Sequence, residues 1–380
     1  MASLLRKLSY NNYTQCRSLH KIAVGHTVPL TFNQYEHQQR FREAQAEIVG
    51  SLMSSPKFKD QLGDVEVWMT KLLDYALGGG KRGRSLAVPF AYRMMEDPEH
   101  FTEDNHHKAR IMGWVLEMFH SYLFTIDDIM DASKTRRGQQ CWYLRDDVGM
   151  GALNDSGLIF TSAYEVLEQH FGDDPIYGEL VKICNGAMLH TCIGQHLDFA
   201  SNYRREKNNL DTFTVERFDA IALQKAAIYS FKWPMNLAMT LVKGKNQNLH
   251  HAEDVHSICW DMGKLVQLIN DYKDIYFDEI RSGKAGTDIQ EGKLTWLAVT
   301  ALERCTDAQR KFFAENYGID NPENVQRIKD LFAELDIENI YKNHVKAVYE
   351  DLGRRIRALP TKGQTRFYSE VLEACCKLLY

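Results

Sequence analysis

The stretch Phe119-His-Ser-Tyr-Leu-Phe-Thr-Ile-Asp-Asp-Ile-Met-Asp131, with the basic segment Lys134-Thr-Arg-Arg-Gly138 just behind it, decides the reading of the fold. Upstream of its acids, apolar residues recur at Ile111, Trp114, Val115, Met118, Phe119, Tyr122, Leu123 and Ile126, then at Ile129 and Met130. That spacing is helical and covers more than one face, which describes a buried helix. Carboxylates at Asp127, Asp128 and Asp131 on such a helix are costly away from water unless cations compensate them. Asp127 and Asp131 are four residues apart, so they share a face about one turn apart. Oxygen-only ligands on a fixed scaffold suit Mg²⁺, which keeps several waters and bridges to substrate phosphates. A solvated acidic cluster is the plainer alternative. The apolar flanks and the adjacent Arg136 and Arg137 count against it.

Outward from this stretch almost everything reads as helix. The helical period runs through 36–54, 60–76, 84–96, 106–132, 151–171, 175–200, 214–244, 251–281, 291–303, 306–317, 322–335, 337–358 and 362–379, and strand-like alternation is absent. Pro98, Pro175, Pro322 and Pro360 sit at boundaries, while Pro89 and Pro234 fall inside helical patterns and are expected to kink them. No repeat, low-complexity tract or linker divides the chain after residue 35, so 36–380 reads as one large all-α bundle. The first stretch, 1–35, has no Asp or Glu and carries Arg6, Lys7, Arg17 and Lys21. It resembles a mitochondrial transit peptide, with a disordered tail as the alternative, and it is set aside from the fold.

A net charge of −5 over 380 residues excludes a nucleic-acid partner held by bulk electrostatics. The eight cysteines form no Cys-x-x-Cys pair and no zinc spacing with histidine, which points to reduced thiols in an intracellular protein. No apolar run is long enough to span a bilayer.

A second acidic helix carries Gln267-Leu-Ile-Asn-Asp-Tyr-Lys-Asp274 among Val255, Ile258, Met262, Leu265, Val266, Leu268, Ile269, Tyr272 and Ile275. Asn270 and Asp274 repeat the four-residue step, with Asp278 one turn on. If the two helices face each other, their oxygens grip metal from both sides. Lys81 and Arg84 follow the Gly78-Gly-Gly80 turn, Arg136 and Arg137 follow the first acidic motif, and Lys225 and Lys284 lie near the site elements of the second half. Acids to hold metal beside cations to hold oxygen anions describe a diphosphate site.

These motifs resemble the trans-prenyl diphosphate synthases, the farnesyl-forming branch most of all, from about residue 35 onward. The resemblance rests on Gly79-Gly-Lys-Arg-Gly-Arg84, Asp127-Asp-Ile-Met-Asp131, Thr135-Arg-Arg-Gly-Gln139 with Cys141-Trp-Tyr143, Gly194-Gln-His-Leu-Asp198, Gln224-Lys225 with Tyr229-Ser-Phe231, and Gly283-Lys-Ala-Gly-Thr-Asp-Ile-Gln290. It implies the isoprenoid synthase fold, a homodimer, and three Mg²⁺ ions on an allylic diphosphate. By the same resemblance Asp127, Asp128, Asp131, Asp198, Asn270, Asp271 and Asp274 serve the metal, and Arg136, Lys225 and Lys284 the allylic diphosphate. Lys81, Arg84 and Arg137 serve an acceptor, isopentenyl diphosphate. Lys225, Arg136, Tyr229 and Gln267 are the catalytic candidates. Metal and cations stabilise the departing diphosphate, and a dry apolar pocket protects the allylic cation.

Several positions depart from that pattern. His120 stands where the family has Gln, Val266 where it has Phe, Ala226 where it has Thr, and Asn270 where it has the first Asp of the second motif; the basic tail is absent from Cys375-Cys-Lys-Leu-Leu-Tyr380. Tyr122 and Leu123 lie about 6–7.5 Å deeper than Asp127 at 1.5 Å per residue, where the resemblance puts two Phe that cap the growing chain. Leu123 opens that floor. Together these departures predict an enzyme that keeps ionisation and loses condensation, similar to insect-type terpene synthases. The expected activity is that of a sesquiterpene synthase that ionises farnesyl diphosphate and cyclises or rearranges the cation. The alternatives are a condensing farnesyl diphosphate synthase and a non-catalytic prenyltransferase subunit. Against the first expectation stands the persistence of Lys81, Arg84 and Arg137. Localisation is expected to be cytoplasmic or mitochondrial.

Overall fold

The computed structural model describes residues 34–59, 61–80, 82–202, 210–243, 253–278 and 286–376. Its helices are α1 (Gln34–Ser54), α2 (Pro56–Lys59), α3 (Gly63–Ala76), α4 (Gly83–Met95), α5 (Glu103–Met130), α6 (Ala152–Phe171), α7 (Tyr177–Asn202), α8 (Val215–Ile221), α9 (Trp233–Met239) and α10 (Glu253–Tyr276). After them come α11 (Asp288–Glu291), α12 (Trp296–Leu302), α13 (Asp307–Asn316), α14 (Pro322–Glu334), α15 (Ile337–Arg357) and α16 (Lys362–Cys376). The all-α expectation is met, and Phe41–Tyr380 forms one compact unit. The remainder, Met1–Arg40, is a second unit, and the transit-peptide reading of its first 33 residues lies outside the described residues.

The helix that the acids occupy is central. α5 starts where the Thr102 hydroxyl caps the Asn105 N–H at 3.2 Å, with Glu103 and Asp104 against the positive end of the helix dipole. Ile111, Trp114, Val115, Met118 and Phe119 are buried as their spacing requires, and α5 packs against α4 on one side and α6 on another. Phe119 meets Phe160, Tyr164 and Trp233 at centroid distances of 5.5, 5.1 and 5.4 Å. Phe41 stacks on Trp114 at 4.6 Å.

The end of α5 sets the course of the chain beyond it. Ser133 N–H returns to Asp128 O at 2.9 Å and Ala132 N–H to Ile129 O at 3.3 Å, with Ala132 left-handed at φ 49. This is a Schellman stop built without glycine, so the backbone stores about 1 kcal/mol there. The turn throws the chain into a hairpin, Thr135–Arg136 (β1) against Gln139–Gln140 (β2), which the absence of strand alternation had not revealed. Both central residues, Arg137 and Gly138, have positive φ (55 and 74), the pattern of a two-residue hairpin turn.

One further difference from the sequence reading lies at 222–232. Between α8 and α9 the chain runs as a π-helix, Ala222–Lys232, where simple helix was expected. Pro234 sits in the first turn of α9, directly after the π segment. Two glycines hold the π segment. A Cβ on Gly194 of α7 would lie 2.4 Å from Lys225 N, and one on Gly263 of α10 would lie 2.3 Å from Ala227 Cα. Both helices therefore touch the segment backbone to backbone.

Candidate active site

α5, α7, the π segment and α10 surround one cavity of ≈ 1040 Å³, closed further by residues 287–295. Asp127 and Asp131 enter it from α5, Asp198 from α7, Lys225 and Tyr229 from the π segment, and Gln267, Asn270, Asp271 and Asp274 from α10. The two acidic helices thus face a shared space. Arg84 and Arg136 also line it, and Tyr122 and Leu123 reach it from deeper on α5. Tyr122 is braced by Phe160 at 5.0 Å.

Asp127 is the hub. Its Oδ1 accepts from Gln195 Nε2 at 3.0 Å and Lys225 Nζ at 3.3 Å, and its Oδ2 from Arg136 Nη2 at 3.1 Å. Burial pushes this carboxyl up, but Lys225, Lys293 and Arg136 outweigh it and hold Asp127 well below the ordinary carboxylate range. Lys225 Nζ also donates to Asp198 Oδ2 at 2.7 Å. Burial works against the Lys225 charge, and Asp198 and Asp127 more than restore it, so the ammonium titrates well above its usual value. The same balance depresses Asp198.

Asp128 turns away from the cavity. It is 2% exposed and accepts Arg136 Nε at 2.8 Å, so it aims that guanidinium past the Phe124 ring, 4.4 Å away, toward Asp127. Burial raises its pKa against the pull of Arg136. Arg137 is likewise pinned behind the wall: its Nη2 donates to the buried Glu117 at 2.6 Å and its Nη1 to Gly78 O at 3.2 Å. Gly79 and Gly80 have φ of 64 and 74, and a Cβ on Gly80 would strike Arg137 Nε at 2.9 Å, so the glycine turn closes over this arginine. Lys81 and Lys284, both expected here, lie outside the described residues.

On α10 the two adjacent amides and acids differ. Asn270 is exposed to the cavity, whereas Asp271 is 2% exposed with both oxygens engaged, Oδ1 by Gln267 Nε2 at 2.8 Å and Oδ2 by Trp296 N–H at 3.0 Å. Burial lifts the Asp271 carboxyl to about 7. Asp274 Oδ1 accepts the Asp288 N–H at 2.8 Å. Asp278 is exposed and does not line the cavity.

Two residues reach the site that the sequence reading had not singled out. Lys293 Nζ donates to Asp131 Oδ2 at 2.6 Å and lies 3.3 Å from Glu291, and these acids raise its pKa well above normal against the cost of burial. It stands just past Gly292, whose φ of 68 turns the chain inward. Gln195 is the other, and its place one turn before Asp198, inside the Gly194–Asp198 motif, was the available signal.

The donor set fits a hard divalent cation. Asp127, Asp131 and Asp198 offer only oxygens. Among the described residues no three His, Cys, Asp or Glu side chains stand close enough to hold an ion alone. Such a set suits ions completed by water and by a bound diphosphate rather than an all-protein cage. No helix among the described residues is long and apolar enough to cross a membrane.

Comparison with known proteins identifies the family. A mitochondrial farnesyl pyrophosphate synthase of Arabidopsis thaliana is 32% identical over 96% of this chain and 93% of its own. A farnesyl pyrophosphate synthase of Murgantia histrionica is 33% identical over 94% of this chain and 86% of its own. Among solved structures, Trypanosoma brucei farnesyl diphosphate synthase with a bisphosphonate superposes with a TM-score of 0.83, at 27% identity, over 89% of this chain and 98% of that one. These relatives overturn the expectation of a terpene synthase, a diphosphate lyase, and favour the condensing alternative, a transferase. The polyprenyl synthetase family matches residues 66–335, more than half of the chain, and to that family the protein belongs.

Proposed function

We propose that the protein is a farnesyl diphosphate synthase, joining isopentenyl diphosphate to an allylic diphosphate and releasing diphosphate. The observation that carries this reading is the pairing of two cationic regions across one cavity. Lys225, Arg136 and Lys293 gather around Asp127, Asp131 and Asp198, while Arg84 enters beside Tyr229 with its Nε donating to Ser230 Oγ at 2.8 Å. The first group suits the leaving diphosphate. The second offers a separate anion contact, as two substrates require.

In this reading the allylic C–O bond breaks with its electron pair leaving on the diphosphate. The acceptor's double bond then supplies the pair for the new C–C bond, and a proton leaves the acceptor. Lys225 and Arg136 bind the departing oxygens where charge develops, and the apolar inner end of the cavity, at Tyr122 and Leu123, keeps water from the cation. Asp127, Asp131 and Asp198 would hold Mg²⁺, which would supply further positive charge to the leaving group, with three ions the number that the family resemblance implies. Tyr122 and Leu123 form the apolar floor against which the product chain ends.

Incubation of the protein with Mg²⁺, isopentenyl diphosphate and dimethylallyl diphosphate, followed by phosphatase treatment, is expected to yield a C15 alcohol. Absence of any chain longer than the starting C5 unit would reject the reading.

The Asn270 side chain is the neutral member of the metal-facing set. Replacing Asn270 with Asp adds a charge opposite the first motif and is expected to tighten Mg²⁺ binding in the presence of inorganic diphosphate by about tenfold. Isothermal calorimetry reads this without turnover. A homodimer is supported by the apolar residues Leu153 on α6 and Leu189 and Ile193 on α7, which are exposed by 49, 63 and 41% in the single chain. The acid-free 1–35 stretch and the mitochondrial relative support mitochondrial localisation.

A further inference from the structure

Arg84 is the described guanidinium of the acceptor set that faces the cavity, since Arg137 is held behind the wall by Glu117. Its aim therefore matters. Three contacts fix it: Nε donates to Ser230 Oγ at 2.8 Å, Cζ lies 4.9 Å from the Tyr229 ring, and Nη1 lies 3.4 Å from His120 Nε2. His120 does not line the cavity and is 6% exposed, packed on Phe124 at 3.9 Å and Tyr229 at 5.2 Å.

Chemistry assigns the tautomer. A guanidinium only donates, so Nε2 must accept, and the ring proton sits on Nδ1. Nδ1 has no hydrogen-bond partner among the described residues and stands 4.0 Å from Glu117 Oε2. Glu117 is wholly buried and also accepts from Ser85 Oγ and Arg137 Nη2. One buried carboxylate thus faces both the arginine behind the wall and the imidazole that touches the arginine in front of it.

We propose that His120 is a positioning residue that aims Arg84 at the acceptor's diphosphate, with its neutral Nε2 as acceptor and Glu117 favouring the Nδ1–H tautomer. The inference rests on the condensing reading. Burial and the nearby Arg84, Arg137 and Arg136 all push the imidazole pKa well below its usual value, which keeps the ring in the form that can accept.

The test compares His120→Leu with His120→Gln, whose amide oxygen can still accept from Arg84. In His120→Leu the KM for isopentenyl diphosphate is expected to rise about tenfold, the cost of one hydrogen bond to a charged group, while the KM for geranyl diphosphate and the melting temperature stay at wild-type values. His120→Gln is expected to recover most of that loss. An unchanged acceptor KM in His120→Leu, or a rise in both KM values together, overturns the inference. If wild type elongates nothing, the condensing reading itself fails. Calorimetric titration of isopentenyl diphosphate into wild type and His120→Leu then decides the point: about tenfold weaker binding supports it and equal binding overturns it.

Discussion

Asp127→Asn is expected to lower kcat by about 10²–10³-fold, with the fold and melting temperature retained. The amide keeps the shape of the side chain and removes its charge. Lys225, Arg136 and Gln195 all converge on this carboxylate, at 3.3, 3.1 and 3.0 Å, so it sets the position of the cations that, in the proposed reaction, receive the leaving diphosphate. An Asn amide offers one acceptor oxygen where two are used, and its NH₂ would confront a cation. The loss should appear in kcat because charge on the leaving oxygens develops only as the C–O bond breaks. Single-turnover diphosphate release measures it, and a fall of less than about threefold would remove Asp127 from the centre of the site.

Gly263→Ala is expected to cost about 1–3 kcal/mol of stability through overpacking and, separately, about 10²-fold in turnover through misplacement of reacting groups. The added Cβ would lie 2.2 Å from Ala227 Cβ and 2.3 Å from Ala227 Cα, and neither is the tip of a flexible side chain. The π segment must shift. It also carries Lys225, whose own backbone N–H is in contact with Gly194 of α7, so a shift at Ala227 displaces the ammonium from Asp127 and Asp198. Denaturant midpoints report the first effect and kcat at saturating substrate the second. Wild-type turnover in a stably folded Gly263→Ala protein would show that the segment's position is not exacting.

The long helices were legible because their apolar residues keep the helical period, and α5 and α10 appear where that period places them. Their facing across a cavity was anticipated from paired acids alone. The π segment was not, since its apolar residues Ala222, Ala226, Ala227 and Phe231 fit an ordinary helix equally well. Asp128 illustrates a second limit. Its neighbour Asp127 points into the cavity, and one residue step, about 100° round a helix, turns Asp128 to Arg136 instead. Lys293 escaped notice because its approach to Asp131 depends on the left-handed turn at Gly292.

The functional reading erred by summing single substitutions. His120, Val266 and Ala226 were counted against the acceptor, Asn270 as a weakened metal ligand and Leu123 as an opened floor, and their sum as loss of condensation, yet a guanidinium still faces the cavity. Arg84 still lines the cavity, fixed by Ser230 and Tyr229, and His120 supplies an acceptor for it. Asn270 still lines the cavity while Asp271 is committed to Gln267 and Trp296. Whether a replacement ruins a contact depends on the direction its side chain takes, and residue identity carries no direction.

Condensation requires two substrates to meet in this cavity. Diphosphate release from geranyl diphosphate, followed with and without isopentenyl diphosphate in the presence of Mg²⁺, decides whether they do. Release is expected to depend on the acceptor and to match the farnesyl diphosphate formed, mole for mole. Release that proceeds equally without the acceptor, or a terpene hydrocarbon formed from farnesyl diphosphate alone, would contradict the condensing reading.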